Sequence, residues 1–177
     1  MRLNQILRAA ELGDADSIAA VHVEAWRSAY RGLVPQHVLD DLSLSRQADS
    51  WRDILRAQDG QTLVVVDGDD GEVGGFVNVG RSRDEDAASS VGELRKIYLR
   101  ERGWNTGAGR RLHDAGLDLL QVGFDEAMLW VLDVNERARS FYARRGWWAD
   151  GAVKSQERGG VALSEIRYRR ALAVTGD

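Results

Sequence analysis

The chain has no cysteine, which excludes disulfide scaffolds, cysteine-ligated zinc and thiol nucleophiles and fits a reducing cytoplasm. Histidine is scarce: His22, His37 and His113 lie without the spacing of metal ligands, so no metal site is expected. No apolar run approaches the ~18 residues of a membrane span, and Met1-Arg2-Leu3-Asn4-Gln5 does not lead into the apolar stretch of a signal peptide. Neither sign of charge dominates. Against 24 Lys and Arg stand 28 Asp and Glu, a net of −4 without a block of like charges, which argues against a nucleic-acid binder or a polybasic membrane binder. What is present is 177 residues with 44% apolar side chains, enough for one substantial core. These features point to one domain over residues 1–177, cytoplasmic, with no nucleic-acid or membrane partner.

The amino-terminal third reads as mostly helical after a short edge strand at Ile6 to Ala10. Asp14 or Asp16 is an N-cap candidate, and Ile18, His22, Ala25, Trp26 and Ala29 recur at helical spacing on one face, toward a stop at Gly32. The only proline, Pro35, opens a second helical stretch through Val38, Leu39 and Leu42, and a third lies around Trp51, Ile54 and Leu55. The period then changes. Thr62 to Val66 and Val73 to Val79 predict a hairpin with its turn at Asp67 to Gly71, and the charged stretch Arg81 to Gly92 predicts an exposed loop. Beyond it come a strand at Glu93 to Leu99, a helix at Gly107 to Val122, a strand at Ala127 to Leu132 and a short helix at Asn135 to Arg145. Two last strands, near Trp147 to Val153 and Val161 to Tyr168, are joined through Gly159-Gly160. The class is α/β in the α+β sense.

The segment Ile97-Tyr98-Leu99-Arg100-Glu101-Arg102-Gly103-Trp104-Asn105-Thr106-Gly107-Ala108-Gly109-Arg110 runs from a strand through a glycine turn into a helix. Backbone N–H groups converge at such a helix start, and the dipole favours an anion there. Gly107 and Gly109 leave room for a pyrophosphate to approach the backbone. A plain strand-to-helix connection explains the same residues. The spacing Gly103-x-x-x-Gly107-x-Gly109 also matches the glycines of the short-chain dehydrogenases, but about 100 residues precede it and Tyr142 has no lysine four positions on.

A second segment, Asn135-x-x-Ala138-x-x-Phe141-Tyr142-x-x-x-Gly146-Trp147, follows a strand. Together with Leu94-x-x-Ile97-Tyr98-Leu99 and Gly107-x-Gly109, it resembles the GNAT superfamily of acetyl-CoA-dependent N-acetyltransferases over nearly the whole chain. Trp104 stands where that family usually has Arg or Gln, and Asn105 where it often has Gly. The resemblance implies a central mixed, mostly antiparallel sheet of about seven strands, flanked by about four helices and opened between its fourth and fifth strands. It also implies acetyl-CoA as cosubstrate without a metal, direct attack of an amine on the thioester, and a small-molecule or peptide amine as acceptor. A homodimer is common among such domains.

Carried onto this chain, the resemblance assigns the cofactor to the backbone of Ile97, Tyr98 and Leu99, to the turn Trp104, Asn105, Thr106, Gly107, Ala108, Gly109 and Arg110, and to Asn135 and Tyr142. Asn135 is also a good helix N-cap. Tyr142 matches the general acid that protonates the departing thiolate, which a phenol can do without first ionising. Glu93 at the head of the central strand is the candidate base, with Asp133 and His22 in reserve. Trp26 and Tyr30, four apart on one helical face, are candidates with Glu93 for the acceptor pocket, although packing explains them too. The different-class alternative is a degenerate acyl-CoA-binding sensor or interaction module.

Overall fold

A computed structural model describes residues 5–67 and 71–173. In chain order the elements are β1 (Gln5–Ala9), α1 (Ala15–Ala29), α2 (Gln36–Asp40), α3 (Leu44–Ala57), β2 (Gln61–Asp67), β3 (Val73–Arg81), β4 (Val91–Leu99), α4 (Ala108–Leu120), β5 (Glu126–Leu132), α5 (Glu136–Ala143), β6 (Trp148–Arg158) and β7 (Val161–Ala171). The strands form one mixed sheet in the order β1-β2-β3-β4-β5-β7-β6. Among the described residues there are five α-helices, one of them the five-residue α2. The expected turn between β2 and β3 falls mostly on residues 68–70, outside the described residues.

Several local expectations shift. The side chain of Asp14 does not cap α1: it accepts from the Glu11 N–H at 2.7 Å and pairs with Arg8, tying β1 to the short 3-10 turn that precedes the helix. The helix α1 ends at Ala29, before Gly32, which adopts φ +74° in the following turn. The loop after β3 is shorter than its polarity suggests, because β4 begins at Val91. β6 runs on to Arg158, five residues past the expected end, since Gly159 and Gly160 both take positive φ and make a two-residue hairpin turn to β7.

The sheet is covered on both faces. On one, α1 and α3 bury Ile18, Val21 and Trp51 against Val64, Val66 and Phe76. On the other, Leu112, Leu117 and Leu120 of α4 pack on Val65, Val77 and Val79, and Tyr142 and Trp147 join that cluster.

Two features of β4 shape the site. It is parallel to β5, and the two pair only at Val91↔Glu126, Gly92↔Ala127 and Glu93↔Met128. Beyond Glu93, β4 keeps β3 and β5 keeps β7, so a slot opens toward the carboxyl ends of both strands. The second feature is a bulge: Val79 pairs with Leu94 but Asn78 with Lys96, leaving Arg95 as the extra residue. Cross-strand partners share a face, so Leu94, like Val79, faces α4, whereas Lys96, like Asn78, faces the α1 side. Glu93, opposite Gly80, is thereby on the same side as Lys96.

Candidate active site

The slot widens into a cavity of about 460 Å³, lined by β4 from Glu93 to Leu99, by Trp130 to Leu132 of β5, and by parts of α1, α5, β6 and β7. It gathers Trp26, Tyr30, Glu93, Ile97, Tyr98, Leu99, Trp104, Gly109, Asn135 and Tyr142 around one space. Asn105, Thr106, Gly107, Ala108 and Arg110 complete the adjoining turn and helix start without lining that cavity.

The free edge of β4 can be read from its ladder. Arg100 N–H donates to Gly74 O at 2.9 Å, a bond that flanks the Gly75↔Leu99 pair. By the antiparallel alternation, Ile97 and Leu99 therefore point their peptide groups into the slot, while those of Tyr98 are used on Phe76. The Leu99 carbonyl accepts from the Trp104 indole at 3.3 Å. Tyr98 contributes its side chain instead, with its hydroxyl accepting from Trp26 Nε1 at 2.9 Å and its ring stacked on His22.

In the glycine turn, Asn105 and Gly107 both have positive φ, 61° and 93°. Thr106 Oγ1 donates to Gly103 O at 2.8 Å and accepts from Ala108 N–H at 3.3 Å. The first intrahelical bond is Arg111 N–H to Gly107 O, so the N–H groups of Gly109 and Arg110 belong to the first turn that α4 itself leaves without acceptors. The two glycines have different reasons. A Cβ on Gly107 would meet nothing within 4 Å, leaving open space above a left-handed residue, whereas a Cβ on Gly109 would lie 3.0 Å from Leu99 Cδ1. Gly109 thus serves close packing of helix on strand. The Arg110 side chain is exposed and paired with Asp114, and the Arg137 guanidinium lies 3.7 Å above the Trp104 ring.

Asn135 caps α5, its side-chain oxygen accepting from Ala138 N–H at 3.0 Å, and is buried beside the cavity. Tyr142 is buried between Phe141, Trp147 and Tyr168, and burial pushes its hydroxyl well above the ordinary tyrosine range. Phe141 lines the cavity as well. Adjacent helical residues differ by about 100° in direction, and the cavity reaches round α5 far enough to touch both.

Glu93 accepts from the Arg83 N–H at 3.1 Å, and burial raises its carboxyl above the usual range despite that bond. The two reserve bases fare differently. Asp133 is exposed, pairs with Arg139 and lies outside the cavity lining. His22 lines the cavity, but burial, aided by Lys96 and Arg158, lowers it to about 3, so it is neutral at physiological pH and accepts from Trp51 Nε1 at 3.3 Å.

That shift has a stability consequence. Between pH ~3 and ~6.5 the unfolded chain binds a proton at His22 that the native state refuses, so the contribution is full above pH ~6.5 and is lost as pH falls. The slope is about 1.4 kcal/mol per pH unit. His22→Gln is expected to lose about 2 kcal/mol less stability than the parent between pH 7 and pH 5 in urea unfolding. Identical pH dependence in the two proteins would show that His22 does not carry the effect.

Other cavity residues escape sequence reasoning. Trp130 is hydrogen-bonded to Asp84 and flanked by the Lys154 ammonium at 4.1 Å and the Arg167 guanidinium at 5.6 Å. Arg167 is buried and holds Asp84, Asp86 and Asp150, which fastens the loop after β3 to β6 and β7. Lys154, Gln156 and Arg158, alternate residues of β6, all line the cavity, as do Lys96 and Glu165. Their only local signal is the two-residue spacing on β6.

A family model described as the acetyltransferase (GNAT) family matches residues 20–147. An uncharacterised N-acetyltransferase of Bacillus subtilis (strain 168), YuaI, is 37% identical over 130 residues, covering 73% of this chain and 72% of the relative. Among solved structures, the PaiA N-acetyltransferase from Thermoplasma acidophilum in complex with coenzyme A superposes with a TM-score of 0.70 at 17% identity, over 95% of this chain and 99% of that one. A GCN5-related N-acetyltransferase from Rhodopseudomonas palustris gives 0.76 at 19% identity, over 97% and 98%.

Proposed function

The chain belongs to the GNAT acetyltransferase family, and from that premise we propose that it transfers an acetyl group from acetyl-CoA to a primary amine of a small molecule or peptide. The observation that carries this reading is the slot between β4 and β5, which has a tyrosine and a glutamate on one cavity and a glycine turn beside it. Acetyl-CoA, when bound, supplies an acetyl group activated as a thioester. The residues fit such a ligand: open space above Gly107, N–H groups of Gly109 and Arg110 at the positive end of α4, and a β4 edge facing the slot. Ile97 and Leu99 would hold the pantetheine arm as an added strand, and the Asn135 amide nitrogen is a further donor. Arg137, stacked on Trp104, brings a cation to the end where the family usually has Arg or Gln.

Two proton tasks remain. An alkyl ammonium near pKa ~10.4 must lose a proton, and Glu93, raised by burial, is a stronger acceptor than an ordinary carboxylate. Tyr142, held protonated by its surroundings, keeps a proton at Oη for the leaving sulfur. Among the described residues no helix is long and apolar enough to cross a membrane.

The reading is tested by thermal shift with acetyl-CoA, coenzyme A and NADPH, followed by thiol release with an amine panel. Saturable stabilisation by the two coenzyme A species alone is expected; stabilisation by NADPH alone would overturn it. In the same assay Gly107→Val is expected to stay folded, since no atom lies within 4 Å of the new Cβ, while acetyl-CoA affinity weakens about tenfold or more. The cause is strain of roughly 1–3 kcal/mol in a left-handed residue, relieved by displacing the cradle. Unchanged affinity in calorimetry would remove the turn from the cofactor site.

A further inference from the structure

The cavity holds more positive charge than it neutralises. Lys154 pairs with Glu165 at 3.6 Å, and the Glu93 carboxylate accepts from a backbone N–H. Arg95 turns back to Asp59 and Arg81. Arg137, the other cation of the lining, stacks on Trp104 beside the glycine turn. Lys96 and Arg158 are left away from that turn: among the described residues neither is within ion-pair distance of a carboxylate. The Lys96 ammonium rests 4.9 Å from the Trp51 ring centre. Arg158 lies 4.7 Å from the Trp26 ring centre and donates through Nε to Gln156 at 3.1 Å, so the side chain is steadied while its two terminal nitrogens donate to no described residue. Burial lowers the Lys96 ammonium to about 8, with Arg83 and Arg158 adding to the shift, so it stays mostly charged at pH 7.

These cations are misplaced for the phosphates of a coenzyme. The glycine turn opens α4, and the β4 residues facing α4 are Leu94, Ile97 and Leu99. Lys96 faces the other side, with Trp51 of α3, and Arg158 sits on Trp26 of α1. Glu93 shares the face of Lys96 because of the bulge at Arg95. A carboxylate suited to an ammonium and two unspent cations suited to an anion therefore stand on one side of the sheet, in one cavity with the aromatic surfaces of Trp26, Tyr30 and Trp130.

We propose that Lys96 and Arg158 form an anion subsite for the acceptor, which is an amino acid or its phosphonate analogue. The proposal rests on reading the cavity as an acetyltransferase site. Arg158 offers a planar fork that takes a carboxylate through two parallel hydrogen bonds, and Lys96 adds a point charge. The aromatic walls accept an apolar side chain.

The test uses acetylated products, which removes differences in amine basicity. Binding of N-acetylleucine, N-acetylphenylalanine and N-acetyl-2-aminoethylphosphonate is measured by calorimetry with and without coenzyme A, the first two against their carboxamides and the third against its dimethyl ester. At least one anionic compound is expected to bind tenfold or more tighter than its neutral partner, and Lys96→Met and Arg158→Met are each expected to abolish most of that preference, with melting curves verifying the fold. In turnover, both variants are expected to raise KM for the amino acid at least tenfold and to change kcat less. Equal binding of every anionic and neutral pair, or a preference that survives both substitutions, overturns the subsite. Failure of coenzyme A to bind would sink the acetyltransferase reading instead, while the comparison without coenzyme still decides the subsite.

Discussion

Replacing Tyr142 with phenylalanine is expected to lower turnover by about 10²–10⁴-fold, the range of one positioned proton donor, while changing acetyl-CoA affinity only a few-fold. The substitution keeps the ring and with it the edge-on contacts to Phe141 and Trp147 and the tilted contact to Tyr168. Only the hydroxyl goes. Because burial raises that hydroxyl, the proposed donor stays protonated through the ordinary tyrosine range and is expected to give the rate profile no alkaline limb of its own. The limb is expected on the acid side: as the proposed base Glu93 must be ionised, and its raised pKa is expected to move the loss of activity upward from the ordinary carboxylate range. A Tyr142→Phe enzyme with parental kcat in the thiol-release assay would take Tyr142 out of the reaction.

The largest stability effect is expected at Arg167. Its guanidinium bonds Asp150 through Nε at 2.8 Å and reaches Asp84 and Asp86 through one terminal nitrogen at 3.1 and 2.9 Å. Methionine of similar reach would leave Asp84 without its cation and Asp150 with only Arg169, both carboxylates being mostly shielded from water. Removing one partner of a buried pair costs about 3–5 kcal/mol. At the lower figure, given the chain length, Arg167→Met should melt roughly 6–12 °C below the parent. A loss under about 1 kcal/mol in chemical denaturation would mean that these carboxylates simply turn to solvent and that the loop after β3 is not fastened by the network.

Much of this architecture rests on signals confined to a few neighbouring residues, and those were legible. The apolar spacing of Ile18, His22 and Trp26, the strand-to-helix turn around Gly107 and the cap at Asn135 each follow from local geometry. The opening between β4 and β5 came from family resemblance. Contacts between distant residues were not legible. Asp84 and Asp86 sit in a stretch that reads as solvated loop, and nothing near them announces Arg167, more than 80 residues later. Lys154, Gln156 and Arg158 alternate along a strand of mostly exposed residues, a pattern shared with any polar edge. Only the pairing of β6 with β7 and the packing of Arg158 on Trp26 turn that edge into a cavity wall. Trp26 and Tyr30 are buried in a cluster with Leu39 and Leu132, as packing predicts, and they also line the cavity.

The bulge at Arg95 sets a rule for how the chain can change in length. On an unbroken strand, residues of one face have numbers of one parity. In β4 the odd-numbered Glu93 shares its face with the even-numbered Lys96 and Tyr98, because the extra residue switches parity once. Deleting Arg95 would join Leu94 to Lys96 in regular alternation, so a single parity would return and every other side chain would keep its face; deleting a residue from the regular part of the strand, with the bulge kept, would instead turn one end over. Residue 95 is therefore the place in β4 where the chain can shorten without exchanging inside for outside: its loss removes the contacts to Asp59 and Arg81 and the local bend, and leaves the pattern of faces as it is.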